Sequence, residues 1–175
     1  LKMMGADEVY DTTFGADLTV MEEADEFLER LKKGGPFPMF TSCCPAWVRY
    51  LEFNAPKYLK HISTCKSPME MFAAVIRDKY AEKDAADGRT TYNIAIMPCT
   101  AKKMEVQRED VKPYVDAAMT FEELQALFDS RDMEISELEE DVLDNASYYG
   151  RIFARSGGLS DAVAQAFREQ DIKDF

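Results

Sequence analysis

The sequence lacks any apolar run approaching the roughly eighteen residues of a spanning helix, so no membrane role is expected. It is also short of positive charge. Against 33 Asp and Glu stand 21 Lys and Arg, a formal net charge of -12. Such a surface repels phosphates, which excludes nucleic acid as a partner. Cysteines number four in 175 residues, and a chain of that length can build a core without disulfide staples. Nothing points to an oxidising compartment, so reduced thiols in a cytoplasmic protein, some of them metal ligands, are the expectation. Residues 1–15 carry no apolar stretch of a secretory leader. Repeats, low-complexity tracts and linkers are missing too. The chain does not open on Met, and its first residues read as the tail of a helix running into a strand. It is therefore expected to be a piece of something longer.

What is present is an alternation of strand-like and helix-like runs, the pattern of an α/β fold with parallel or mixed sheets flanked by helices. Glu8–Asp11 reads as a strand. Asp17 is placed to cap a helix from Leu18 to about Lys33, with an apolar stripe of Leu18, Met21, Ala24, Leu28 and Leu31. Gly34, Gly35 and Pro36 end it. Phe37–Thr41 is a second short strand, and Pro45 opens a helix carrying Trp47, Val48 and Leu51. Ser67-Pro68-Met69-Glu70 is a capping box before another helix. Lys83–Arg89 reads as a polar loop, Tyr92–Met97 as a buried strand, and Ala117–Met119 as a short one. Thr120 and Glu123 form a second capping box. Acidic helices are expected at residues 22–29 and 134–144, the latter centred on Leu138–Leu143. Ser156-Gly157-Gly158 is a turn before a last helix at about Leu159–Glu169.

The cysteines fall at strand-to-helix junctions. Cys43 and Cys44 follow one strand and precede the helix at Pro45, and Cys99 follows the strand ending at Met97. Ligands of α/β proteins bind in the crevice outside the carboxyl ends of strands, and a helix N-terminus favours the thiolate that iron requires. Free cysteine is also a common small core residue. Spacing alone supports an iron–sulfur or thiol site and no more.

Three segments resemble the catalytic domain of iron-only (FeFe) hydrogenases: Thr41-Ser42-Cys43-Cys44-Pro45-Ala46-Trp47, Ser63-Thr64-Cys65-Lys66-Ser67-Pro68, and Met97-Pro98-Cys99-Thr100-Ala101-Lys102-Lys103. Residues 14–26 are similar to the family's lead-in helix and residues 150–159 to a cluster-facing loop. The resemblance covers nearly the whole chain in the family's order. It implies part of a two-lobed catalytic domain spanning residues 1–175, without the domain's first strand and without its C-terminal cysteine motif. It also implies an H-cluster, a 4Fe–4S cube joined to a two-iron unit bearing CO and cyanide. Of the four cysteines that hold the cube, Cys44 and Cys99 match two. The other two belong to a signature absent from this sequence, so the cluster is expected in the parent protein and not in this piece alone.

The same resemblance places a proton relay at Cys43, Glu23, Ser63 and Glu26, the two glutamates sharing one helix face. Lys102 matches a lysine aimed at a cyanide ligand, Ser67 and Pro68 match positions behind the cluster, and Met97 and Phe153 match apolar walls of the two-iron site. The implied reaction is reversible oxidation of H2 to protons and electrons, with ferredoxin or accessory iron–sulfur domains as electron partner. Met69 and Glu70 stand where studied members have a Gln pair, Ala46 often appears as Gly, and Ala154-Arg155-Ser156-Gly157-Gly158 replaces a more usual run. These departures leave a sensory hydrogenase as an alternative. A non-hydrogenase relative that serves iron–sulfur protein assembly is another, although such relatives usually break the second signature after its cysteine, where this chain keeps Thr100 and Lys102.

Overall fold

A computed structural model describes residues 1–109, 114–143 and 145–172. Its spine is α1 (Thr13–Lys33). The Asp11 carboxylate accepts the Thr13 N–H at 3.0 Å, so the helix begins four residues before Asp17. The predicted Asp17 cap is thereby corrected: that carboxylate reaches instead to the Ser147 N–H at 2.7 Å and hydroxyl. The predicted stripe is corrected as well. The buried face runs through Gly15, Ala16, Thr19, Val20, Glu23 and Ala24, while Met21 is exposed. Small residues rather than large ones mark this face because α3 (Pro68–Asp87) lies directly on it.

Gly15 is the point of closest approach. A Cβ there would sit 2.2 Å from the Pro68 carbonyl oxygen and 2.9 Å from Phe72 Cβ. Backbone cannot yield as a flexible side chain can, so Gly15→Ala is expected to lower stability by about 3 kcal/mol, the upper part of the range for overpacking. Urea denaturation would measure it. A loss under roughly 1 kcal/mol would show that the two helices slide apart freely.

Ser67 caps α3, its hydroxyl accepting the Glu70 N–H at 3.5 Å, with Pro68 in the first turn. The helix continues to Asp87 and ends on Gly88 at φ 62°. Lys83–Asp87 is therefore helical, not loop, because Asp84 anchors the exit by accepting from Thr91 N–H (2.5 Å) and hydroxyl (2.6 Å). Beyond it, β1 (Ile94–Met97) pairs in parallel with β2 (Ala117–Thr120), Met97 opposite Thr120, and α4 (Ala101–Glu105) lies on the connection between them. Met69 and Ala73 of α3 pack with Val115, Ala95 and Met97 beneath this sheet. β1 is less covered than its composition suggests, Ile94 being exposed. Thr120 and Glu123 form the predicted reciprocal box at the head of α5 (Phe121–Asp129). On the other side of α1, Val20 packs with Leu159 and Ala162 against Tyr149 and Phe153. These come from α6 (Tyr148–Ile152) and α7 (Gly158–Glu169) with the turn between them.

Three further expectations are corrected. Glu8–Asp11 forms no strand among the described residues; Tyr10 instead stands edge-on to Phe72, with ring centroids 5.7 Å apart. Phe37–Thr41 contributes one parallel bridge, Phe40 to Ile62, and no longer strand. Leu138–Leu143 is irregular. Its carboxylates repel at helical spacing and Val142, 82% exposed, finds no surface to dock on. Asp144, the end of that predicted acidic helix, lies outside the described residues. No described helix is long and apolar enough to cross a membrane.

Candidate functional site

The single bridge at Phe40 organises the site. Phe40 N–H donates to the His61 carbonyl (2.8 Å) and Ser63 N–H to the Phe40 carbonyl (2.7 Å). The Ser42 hydroxyl then donates to the Cys65 carbonyl at 2.5 Å. Residues 40–43 and 61–65, remote in sequence, thus run side by side across the glutamate-bearing face of α1. Cys44 occupies the N-cap position of α2 (Pro45–Asn54), in extended conformation and without a side-chain cap bond.

A cavity of about 440 Å³ opens beside these segments. Its wall includes Thr41, Cys43, Pro68, Met97, Lys102 and Phe153. Five of those six carry a role suggested by the sequence. Ser67 is not in the wall; it is 2% exposed and its hydroxyl serves as the α3 cap. Cys44 and Cys99 lie outside the wall, Cys44 exposed and Cys99 half-buried two residues beyond the end of β1. Each stands at the start of a helix, and those helices, α2 and α4, pack on one another.

From Cys43 a row of polar groups leads away from the cavity. Burial pushes the Cys43 thiol up; the Thr41 hydroxyl and Lys102 offset this in part, while the charge at Glu23 adds to it. Cys43 therefore carries its proton at neutral pH. Glu23 is 0% exposed, and neither carboxylate oxygen completes a hydrogen bond. Burial raises it from 4.5 to about 7, against the opposing pull of the nearby Ser63 hydroxyl and Ser42 N–H.

Glu26, one helical turn on, has the contrary setting. One oxygen accepts from Arg30 Nε at 3.0 Å, and the other from Ser63 Oγ (2.8 Å), Thr64 N–H (2.9 Å) and Thr64 Oγ1 (3.1 Å). Burial alone would raise Glu26, but Ser63, Thr64 and Arg30 together hold it below the usual carboxylate value. Arg30 in turn grips the carbonyls of His61 (3.0 Å) and Ile62 (2.7 Å). The outer end meets solvent at exposed Thr64. Two carboxyls on one face are thus driven apart, one holding its proton up to about pH 7 and the other ionised well below that, an arrangement suited to handing a proton along.

All four residues that the resemblance places in a relay lie near one another here. Sequence reasoning missed Arg30 and Thr64. The Glu26–Arg30 spacing of four was a usable signal for the first; none pointed to the second. It also missed Cys65, whose thiol donates to Glu26 at 3.7 Å, and Glu105, buried beside Lys102.

A model of the iron-only hydrogenase large subunit, C-terminal domain, matches residues 1–174. The chain belongs to that family. Within it, the chain is 36% identical to iron hydrogenase 1 of Clostridium pasteurianum over 97% of its own length and 31% of the relative's. It is 37% identical to the periplasmic Fe hydrogenase large subunit of Nitratidesulfovibrio vulgaris, over 93% of this chain and 41% of that one. A solved apo FeFe-hydrogenase variant from Chlamydomonas reinhardtii superposes with a TM-score of 0.72 at 41% identity, covering 82% of this chain and 38% of the other. The chain thus spans well under half the length of these relatives. Similarity extends to proteins not named as hydrogenases: a probable cytosolic Fe-S cluster assembly factor of Drosophila mojavensis is 35% identical over 67% of the chain.

Whether the residues fit the family's cluster has two answers. The cavity does: it offers a thiol, a cation and apolar walls of Met97 and Phe153, the mixture a small anionic metal unit needs. The thiols fit in part: a cube takes four thiolates, and by the resemblance Cys44 and Cys99 match two of the four positions. Among the described residues no cluster of three or more metal-ligating side chains forms.

Proposed function

We propose that this chain is the central part of an FeFe-hydrogenase catalytic domain, converting H2 reversibly to protons and electrons in the complete protein. The observation that carries the reading is the polar row Cys43–Glu23–Ser63–Glu26 running from the cavity wall to solvent. A binding module has no use for such a row; a buried redox centre that consumes or releases protons does.

When bound, the H-cluster would supply the iron at which H2 is split or formed and would exchange the electrons. Cys44 and Cys99 would hold it jointly with two cysteines from elsewhere in the parent. Lys102 would donate to a cyanide nitrogen, and Met97 and Phe153 would keep water out. In the direction of H2 formation, Cys43 Sγ delivers its proton into the cavity and is reloaded from the Glu23 carboxyl. Glu23 takes its replacement through the Ser63 hydroxyl from Glu26, which recharges from solvent at Thr64. Oxidation of H2 runs the same atoms backwards.

The proposed electron partner is a ferredoxin or an accessory iron–sulfur domain. On α2, which Cys44 heads, and on the segment that follows it, the chain, acidic as a whole, presents exposed Arg49, Lys57 and Lys60, and opposite charges speed such encounters. A cytoplasmic location belongs to the proposal on the strength of four free thiols. Cell fractionation decides it, since one relative is named periplasmic.

The test compares this chain with its parent. Loaded anaerobically with the cluster, the parent is expected to evolve H2 and to show infrared bands of metal-bound CO and cyanide. The 175-residue chain treated identically is expected to show neither, for want of two thiolates. Bands from the chain alone would overturn the ligand assignment; a loaded parent without turnover would overturn the enzymatic reading. The rival, an iron–sulfur assembly role, is favoured by the Drosophila relative. Against it stands Lys102 in the cavity wall, a cation suited to a guest that bears anionic ligands such as cyanide.

A further inference from the structure

Glu105 is a buried carboxylate that the proton row does not use. Its side chain is 7% exposed and that of Lys102 is 12% exposed, and Lys102 Nζ donates to Glu105 Oε2 at 2.7 Å. The same ammonium donates to the Cys43 backbone carbonyl at 3.0 Å. A lysine has three N–H donors. Two are committed on the protein side, and Lys102 lines the cavity, so the third is the one left for a guest. An unpaired carboxylate at this depth would be costly. The position is tolerable because the pair is made, and the pair in turn removes the freedom that makes lysine a poor directional donor.

We propose that Glu105 is a positioning residue, fixing Lys102 so that a single N–H faces the cavity and tying it to the Cys43 backbone. The proposal deepens the hydrogenase reading and rests on it, because it names which residue aims the cation at the bound cluster. Glu105 touches neither guest nor reacting atoms. Its effect passes through Lys102, three residues earlier on the five-residue helix α4.

Two readouts test it, one on the metal-free chain and one on the loaded parent. In the metal-free chain, acylation of Lys102 by an amine-reactive ester, followed by peptide mass spectrometry, is compared with exposed Lys57 as internal reference. Glu105→Ala is expected to speed acylation of Lys102 about tenfold relative to Lys57. Glu105→Gln, which keeps an acceptor and loses the charge, should fall between. In the loaded parent, Glu105→Ala and Glu105→Gln are expected to shift the cyanide stretching bands, and Glu105→Asp to restore them in part. Unchanged acylation in both variants overturns the proposal. Faster acylation with unmoved cyanide bands overturns it too, since Glu105 would then be only a staple of α4. A parent without cyanide bands in its unaltered form instead overturns the hydrogenase reading, while the acylation arm still reports whether Glu105 restrains Lys102. If Glu105→Ala fails to fold, Glu105→Gln carries both measurements.

Discussion

Replacing Cys43 by Ala in the loaded parent is expected to cut H2 turnover by about three orders of magnitude, within the range typical of a lost general acid, while iron content stays near that of the unaltered protein. The reasoning is geometric. Cys43 is the one member of the polar row that lines the cavity, and the methyl of Ala carries no transferable proton. Its neighbour Cys44 is not part of that wall and is exposed at the head of α2, so the metal's grip should survive. Cys43→Ser separates the two contributions. A hydroxyl occupies nearly the same space but releases its proton far less readily, so Ser should recover little of the rate. Iron analysis and H2 evolution on the same preparation check the prediction. Loss of iron in Cys43→Ala would mean that the ligand and the proton donor have been assigned the wrong way round.

The second large effect concerns Glu23 and can be measured without any metal. An unfolded glutamate ionises near 4.5, but the folded chain keeps Glu23 protonated until about pH 7. Below 4.5 both states carry the proton and burial of the carboxyl imposes no pH-dependent penalty. Between 4.5 and 7 the unfolded state sheds its proton first, so stability falls as pH rises, and above 7 the loss is complete. At 1.36 kcal/mol per pH unit this amounts to about 3 kcal/mol. Glu23→Gln cannot ionise. At pH 8 it should be more stable than the unaltered chain by roughly that amount, about 3 kcal/mol, and its stability should be flat where the other declines. Glu26, Glu29 and Glu123 have lowered values, so their contributions fade only on the acid side of this window and do not mask it. Denaturant titrations at pH 5 and pH 8 supply the comparison. Equal pH dependence in both proteins would show that Glu23 is ionised when folded. In the loaded parent the same substitution should stop turnover, so that the change which steadies the fold disables the path.

Much of this was legible in the residues because local chemistry and final position agreed. Ser67 and Thr120 cap the helices that their motifs announce, Pro45 opens α2, and Cys43, Glu23, Ser63 and Glu26, which the resemblance picks out, lie near one another. The failures share a cause. Asp17 looked like a cap because it precedes an apolar run, yet its carboxylate serves Ser147, 130 residues away. The stripe on α1 was drawn through large apolar residues, whereas contact with α3 selects the small ones. Glu105 gave no sign of itself. A glutamate three places after a lysine usually marks a solvated helix face, and only the folded chain shows that both are covered.

Contact between α1 and α3 at Gly15 has a wider consequence. The Gly15 backbone sits against the Pro68 carbonyl with no side chain between. Glu23 and Glu26 ride on one of these helices, and the cavity wall at Pro68 and Met69 begins the other. In the proposed function the proton row and the cavity would therefore share one joint, so that a shift of either helix would carry the other along.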